Sequence, residues 1–457
     1  MFTVFLKVLA VSGVISFLIL MQRVVFWAGL LAVFALAGHA AALTLQGALE
    51  LALKQNHSVA TLQSRVIESQ TKVGTARTAY LPQFQLSGSY TYNSRLPKLA
   101  INLPLPIEFP EIQTATHHVV DTRLQGGYLL LDFGKRRKAV SMAVLGREMS
   151  ETALAGTQDD VAYQVTREYV TAAMIAERAR LAERYVATSQ RHLDDARVLF
   201  DNGLVSQFDL LKSEMQVKVY QEQLAVATAE LRSAQLSLAE SIGLDNTALP
   251  EIAQSLAELV VTAPETTAPE VERLAMQKPE VIALRKQQEV SQLTIGLEQL
   301  RPSLSLVSFV GWKNSYLPDP DKLLFNYSGG AVVSYPIFDG GRARARRAEE
   351  IERQRTLDLE IEQIVSQTTT AVETLRAETD KISAKSRITE ERLVLARKAL
   401  EIAAVSFSTG LITNSDYLDT ELEVQQIETD ALADRYSLLV AHLELKRVLS
   451  YWPELVR

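Results

Sequence analysis

Hydrophobic and polar positions alternate almost without fault from Gln83 to Asn93. Phe84, Leu86, Tyr90 and Tyr92 share one parity, with Gly88 among them, while Gln83, Gln85, Ser87, Ser89, Thr91 and Asn93 take the other. A period of two is that of a strand with one apolar and one wet face. The same parity returns from Ser303 to Trp312, where Leu304, Leu306, Val310 and Trp312 are apolar. Return strands are expected at about Thr122 to Leu131 and Tyr327 to Ile337. Each is close to the ~9–11 residues of a tilted transmembrane strand, with aromatic residues near the ends. A small soluble sheet is the alternative, but the hydroxyl-rich second face fits a water-filled lumen better.

Between the strands the period changes. From about Gly134 to Asn202 there is no proline, enough for ~100 Å of helix at ~1.5 Å per residue. A 4-3 spacing runs through Val161, Val165, Glu168, Ala172, Ile175, Ala179, Ala182, Val186, Ser189, Leu193, Ala196 and Phe200. That is the 3.5-residue period of a coiled coil. A return helix keeps a seam at Leu210, Val217, Tyr220, Leu224 and Ala227, and a later one at Tyr417, Thr420, Val424, Ile427, Ala431 and Asp434. The segments Leu43 to Ala79 and Leu204 to Ile242 together hold about as many residues as the long helix. Two short helices stacked end to end could therefore run beside one long one.

The chain repeats itself. Tyr128-Leu129-Leu130-Leu131-Asp132-Phe133-Gly134 resembles Tyr335-Pro336-Ile337-Phe338-Asp339-Gly340-Gly341, an offset of 335 − 128 = 207. Phe200 to Val205 resembles Phe407 to Ile412 at the same offset. One offset held by two distant motifs implies an internal duplication. The expected organisation is a first repeat over 43–243, an irregular Pro- and Thr-rich connection over 244–270, a second repeat over 271–452 and a short tail over 453–457.

Residues 1–42 differ from the rest. The run Val24 to Phe34 follows Gln22-Arg23 and precedes small residues from Ala35 to Ala42. This reads as a signal peptide whose true start is Met21, with a retained inner-membrane anchor as the competing reading. Beyond it no run is apolar enough for a spanning helix, so any later crossing must be made of strands. Four strands cannot close a barrel, and open edges are not tolerated in lipid. Two chains would give an eight-stranded barrel filled by its own side chains, and three a twelve-stranded one with a channel. The wet face favours three.

Composition narrows the function further. The formal net charge is −7, against a nucleic-acid partner, and there is no cysteine, so disulfides, thiolate metal sites and cysteine nucleophiles are excluded. The histidines lack metal-ligand spacing. No phosphate-binding glycine loop or catalytic constellation is present, so an enzyme and a cofactor are not expected.

Several motifs carry a resemblance. Leu43-Thr44-Leu45 followed by Ala48 to Leu53 and Asn56 opens the series, and Pro82 and Pro302 at the helix-to-strand switches, Tyr335 to Gly341, and the paired Gly203-Leu204 and Gly410-Leu411 turns accompany it, the switches and turns once in each half. Together they resemble the TolC-like outer-membrane efflux family over essentially all of 43–452. The resemblance implies an α+β membrane protein: a long α-helical coiled-coil barrel plus four transmembrane strands per chain, closing as a twelve-stranded β-barrel in a homotrimer. It implies an outer-membrane channel of a tripartite efflux pump or type I secretion system in a Gram-negative bacterium. Its partners would be a periplasmic adaptor, an inner-membrane pump or ABC exporter, and outer-membrane lipid. A coiled-coil scaffold is the competitor from another class.

The resemblance also assigns residues. Pro82, Asp132, Gly134, Pro302, Pro336, Asp339, Gly340 and Gly341 fall at strand–helix switches. Gly203, Leu204, Val205, Gly410, Leu411 and Ile412 fall at helix tips that would meet the adaptor, with the four apolar residues exposed. Asp416 and Asp419, one helical turn apart, align with the carboxylates that ring the constricted entrance in family members. Ile412 stands where the family's best-studied tip carries a basic residue, and Asp209 and Lys212 occupy the positions in the first half that match Asp416 and Asp419.

Overall fold

The computed structural model describes residues 43–99, 112–113, 115–244, 249–261 and 264–452. The expected signal peptide (1–42) and tail (453–457) lie outside them. The elements are α1 (Leu45–Gln55), α2 (His57–Thr78), β1 (Gln83–Tyr92), β2 (Lys98–Leu99), β3 (Ile112–Gln113), β4 (His118–Leu131), α3 (Lys135–Asp201), α4 (Gln207–Ile242), α5 (Ala268–Ala275), α6 (Pro279–Leu297), β5 (Ser303–Lys313), β6 (Leu324–Ser334), α7 (Arg342–Ser408) and α8 (Asn414–Val448). Both long helices, α3 and α7, have 67 residues. Their starts and ends lie 207 residues apart (342 − 135 and 408 − 201). The chain forms two compact units. One comprises the described residues within 43–59, 158–265 and 372–452, the other those within 60–157 and 266–371.

The second unit contains a four-stranded antiparallel sheet in the order β1-β4-β5-β6. Its register places Leu86 opposite Leu124, Leu124 opposite Val310 and Val310 opposite Tyr327. One continuous apolar face therefore crosses all four strands. It is uncovered: Phe84 is 70% exposed, and Leu86, Tyr90 and Val333 are exposed beside it. The opposite face carries Gln83, Gln85, Ser87 and Ser89 on β1, and Asp121, Arg123 and Lys313 further across, where Asp121 pairs with both cations. Strands β1 and β6 each have one unpaired edge.

Two strand boundaries differ from the sequence expectation. Strand β4 starts at His118, four residues early, and β6 runs from Leu324 to Ser334 rather than from Tyr327 to Ile337. The β5–β6 ladder opens with Ser303 opposite Ser334 and closes with Lys313 opposite Leu324. Two residues past Ser334, Pro336 has no N–H to extend it.

The first unit is a helical bundle in which α3 buries two stripes rather than the single expected seam. Val161, Val165, Ala172, Ala179, Ala182 and Ala196 are buried, as expected, but so are Tyr169, Leu181, Tyr185 and His192. The reason is that α3 has neighbours on two sides. Tyr185 stacks on Tyr220 of α4 (5.3 Å between centroids) and donates its hydroxyl to Glu428 of α8 at 2.9 Å. Phe200, expected in the seam, is exposed. The seam acid Asp434 is 3% exposed and is compensated by Lys385 Nζ at 2.6 Å and Thr389 Oγ1 at 2.8 Å.

A break unforeseen in the sequence separates α1 from α2. Asn56 turns out of helical geometry (ψ 129°), and its Oδ1 accepts the N–H of Ser58 at 2.8 Å while its Nδ2 donates to Ser241 O at 2.8 Å. Gly243 sits so close to this corner that a Cβ would lie 2.6 Å from Gln55 O. Within the expected irregular connection, Leu256 and Leu259 are buried, and Leu43 donates to Glu251 O and accepts from Ala253 N.

Candidate functional site: helix tips and strand-to-helix switches

Each tip is built from a glycine stop followed by a capped restart. At the first, Gly203 (φ 71°) donates to Phe200 O at 2.8 Å and Leu204 N–H to Leu199 O at 2.9 Å. At the second, Gly410 (φ 75°) donates to Phe407 O at 2.9 Å and Leu411 to Ser406 O at 2.8 Å. These are Schellman closures, which need the left-handed backbone that glycine supplies freely. The next helices start in capping boxes, Ser206 with Asp209 and Thr413 with Asp416.

The apolar tip residues do not behave alike. Leu204 is 71% and Leu411 79% exposed. Val205 and Ile412 are only half-buried rather than fully exposed, contrary to expectation. Ile412 turns inward onto Ala403, Phe407, Tyr417 and Leu418. A short tip offers one outward position per hairpin, and in both it is the residue directly after the glycine.

Asp416 and Asp419 are both exposed. Asp416 closes its own helix cap, its carboxylate accepting the Thr413 hydroxyl at 2.7 Å and the Thr413 N–H at 3.0 Å. Those bonds, the hydroxyl first, hold its carboxyl below the usual range. In the first hairpin the Asp209 carboxylate closes the corresponding cap, accepting the Ser206 hydroxyl at 2.6 Å. Asp419 makes no ion pair among the described residues. Lys212 reaches from the first hairpin to the second, donating to Ser415 Oγ at 2.9 Å.

Behind the tips lies a polar layer that sequence reasoning did not single out. His192 (α3), Ser213 (α4) and Asn414 (α8) are buried together. Two turns further along α8, Glu421 is 0% exposed with neither oxygen hydrogen-bonded among the described residues. Burial pushes the Glu421 carboxyl up to about 7. The signal was present in the spacing: Tyr417, Glu421 and Val424 also follow the 4-3 rule, and the structure buries Glu421 rather than Thr420.

The switches belong to the other unit. Pro82 and Pro302 directly precede β1 and β5, and Pro336 follows β6. At the strand-to-helix turns an aspartate caps each long helix. Asp132 accepts from Gly134 N at 3.1 Å and Arg136 N at 2.7 Å, and Asp339 accepts from Gly341 N at 3.0 Å and Ala343 N at 2.8 Å. For Asp132, burial pushes the carboxyl up, but the Arg136 and Gly134 bonds outweigh it and the net shift is down. Gly340 and Gly341 both have positive φ, as does Gly134. Phe133 stands where the second copy has Gly340 and is held at φ 50°, a conformation that strains an aromatic residue.

Among the described residues no helix is long and apolar enough to cross a membrane, and no cluster of His, Cys, Asp or Glu could hold a metal. An uncovered four-stranded sheet, paired 67-residue helices and glycine-closed tips are the parts that the resemblance implies. The outer membrane efflux protein family matches residues 48–244 and 271–450, and the chain belongs to it. It is 22% identical over 405 residues to the pyoverdine export outer membrane protein OpmQ of Pseudomonas putida, covering 88% of this chain and 84% of that one. It is 25% identical over 291 residues to the cobalt-zinc-cadmium resistance protein CzcC of Cupriavidus metallidurans, covering 63% and 67%. Its fold matches the outer membrane protein VceC of Vibrio cholerae (TM-score 0.69, 17% identity, 89% and 95% covered). It also matches the MtrE outer membrane channel of Neisseria gonorrhoeae in its open state (TM-score 0.71, 18% identity, 89% and 88% covered).

Proposed function

We propose that three copies of this chain assemble into a passive conduit from periplasm to exterior, the outer component of a tripartite efflux pump or type I secretion system. The observation that carries this reading is the sheet, apolar on one uncovered face and open at β1 and β6. Open edges are not tolerated in lipid, so β6 of one copy must meet β1 of the next. Three copies make twelve strands, wide enough for a water-filled lumen, lined by the Gln83, Gln85, Ser87 and Ser89 face.

The helical unit also leaves apolar surface for a second copy. Phe208, Leu211 and Met215 form an exposed stripe on α4, and Ile388, Leu395 and Ile402 one on α7. Stripes at helical spacing left uncovered in a lone chain mark association surfaces. The duplication read from the 207-residue offset would give the three-chain barrel a pseudo-sixfold wall.

At the tips, Leu204 and Leu411 serve as apolar contacts for a periplasmic adaptor. Asp416 and Asp419 contribute two stacked carboxylate rings that favour cations at the entrance. Energy comes from an inner-membrane pump or ABC exporter. The relatives carry names as different as pyoverdine export and cobalt-zinc-cadmium resistance, which fits a conduit whose cargo is chosen by its partners. The test is conductance of the purified protein in a planar bilayer: discrete, cation-preferring steps are expected, and a protein that never conducts would refute the channel.

A further inference from the structure

Both long helices begin with charge of the wrong sign. Helix α3 opens with Lys135, Arg136, Arg137 and Lys138, and α7 carries Arg342, Arg344, Arg346 and Arg347. Neither has an acidic residue in its first turn. A helix N-terminus is itself the positive end of the macrodipole, so cations there are disfavoured. A local rule broken at the same place in both halves points to a compensating partner.

Only part of that charge is compensated within the unit. Arg136 pairs with Asp132 at 3.0 Å, and Arg346 with Glu298 at 3.0 Å. Arg342 lies near Asp339 and helps hold its carboxyl down, after the Ala343 and Gly341 N–H groups. Lys135, Arg137, Arg344 and Arg347 make no ion pair among the described residues, and the three arginines are exposed.

Beside these cations stand highly exposed apolar side chains. Ile337 and Phe338 are each 84% exposed, and the strained Phe133 is exposed as well. Both sets follow directly from the ends of β6 and β4. Strand, exposed apolar residue, then unpaired cation is the order in which a chain passes from hydrocarbon through the interface to lipid phosphate. Cations at such a boundary gain from anionic headgroups.

We propose that Lys135, Arg137, Arg344 and Arg347 form a basic collar that binds anionic phospholipid headgroups in the leaflet where the strands end. This rests on the reading that the sheet crosses a bilayer. The occupant is set by charge complementarity and by continuity with the apolar face of the sheet.

The test reconstitutes the full-length protein into phosphatidylcholine bilayers, with and without a minority of phosphatidylglycerol, and counts the lipid that stays with it. The wild type enriches phosphatidylglycerol over its bulk share, by roughly fivefold, and loses the enrichment in high salt. The variant Lys135→Gln/Arg137→Gln/Arg344→Gln/Arg347→Gln inserts equally well without enrichment. The charge-keeping variant Lys135→Arg/Arg137→Lys/Arg344→Lys/Arg347→Lys retains it, which separates charge from folding. Insertion with no enrichment by the wild type would overturn the collar while leaving the channel reading intact. So would enrichment that the glutamine variant keeps, or charge-dependent retention of purified peptidoglycan in place of lipid. A protein that enters neither bilayer would overturn the transmembrane reading beneath it.

Discussion

His192 Nε2 lies 2.7 Å from Asn414 Oδ1, joining the long helix of one hairpin to the first turn of the other just behind the tips. The amide of Asn414 continues the connection, donating to Asp209 O at 2.9 Å and Ser213 Oγ at 3.2 Å. Because that nitrogen faces two acceptors, Oδ1 must accept, and Nε2 of His192 carries the proton. The imidazole also stacks on Tyr417 (4.2 Å, 21°). One buried side chain thus ties α3, α4 and α8 together. Asn414→Ala strands the buried histidine and is expected to cost about 1–3 kcal/mol, read as a lower melting temperature in thermal unfolding.

The same histidine makes the tips acid-sensitive. Burial holds His192 below the usual histidine range, partly opposed by the Asn414 bond. The native state then binds fewer protons than the unfolded chain, so this contribution is full above the unfolded value of ~6.5 and is lost as pH falls through the lower folded value. His192→Gln is expected to flatten the melting temperature on the acid side, and an unchanged acid slope would exclude His192 as its source.

Glu421 acts with the opposite sign. Its carboxyl rises from 4.5 unfolded to about 7 in the fold. The native state holds the proton longer, so stability is greatest below ~4.5 and declines until the pH passes about 7, by about 3 kcal/mol at most. Glu421→Gln keeps the shape and removes the titration. The variant is expected to melt higher than wild type at about pH 8 and alike at about pH 5. Parallel profiles would show that the acid is already satisfied, for instance by internal water.

Asp416 and Asp419 can be separated by experiment. Asp416→Ala removes a helix cap, so it lowers stability along with any effect on selectivity. Asp419→Asn touches no bond and is expected to reduce cation preference severalfold in single-channel recordings, with an unchanged melting temperature. Unaltered selectivity in both variants would remove the carboxylate rings from the entrance.

The exposed stripes give a prediction on assembly. Leu395→Glu on α7 and Met215→Glu on α4 each place a charge on a surface proposed to be covered by a second copy. Both are expected to shift the detergent-solubilised protein from trimer toward monomer in light scattering, while helix content by circular dichroism stays constant.

The periodic elements were readable because a period survives without tertiary information. The parity of Phe84, Leu86, Tyr90 and Tyr92 located β1 to within a residue, and the proline-free stretch located α3. The Asn56 break was hidden because asparagine in a helical pattern is ordinary until Ser241 O and the close approach of Gly243 make it a corner. The second stripe of α3 was hidden because a single seam presumes a single neighbour. Ile412 and Asp416 were legible as tip residues, yet their contacts depend on side-chain direction, which spacing alone does not encode. The buried Glu421 broke the expectation that acids are solvated, and only its heptad position hinted otherwise.

Everything proposed for the channel depends on copies of this chain sharing one barrel. Electron microscopy of the protein extracted in detergent from the outer-membrane fraction addresses that point without intermediates. Threefold-symmetric particles are expected, with a helical stalk ~100 Å long, as the 67-residue helices require. Monomeric or dimeric rods, or a protein that leaves the membrane without detergent, would contradict the shared barrel.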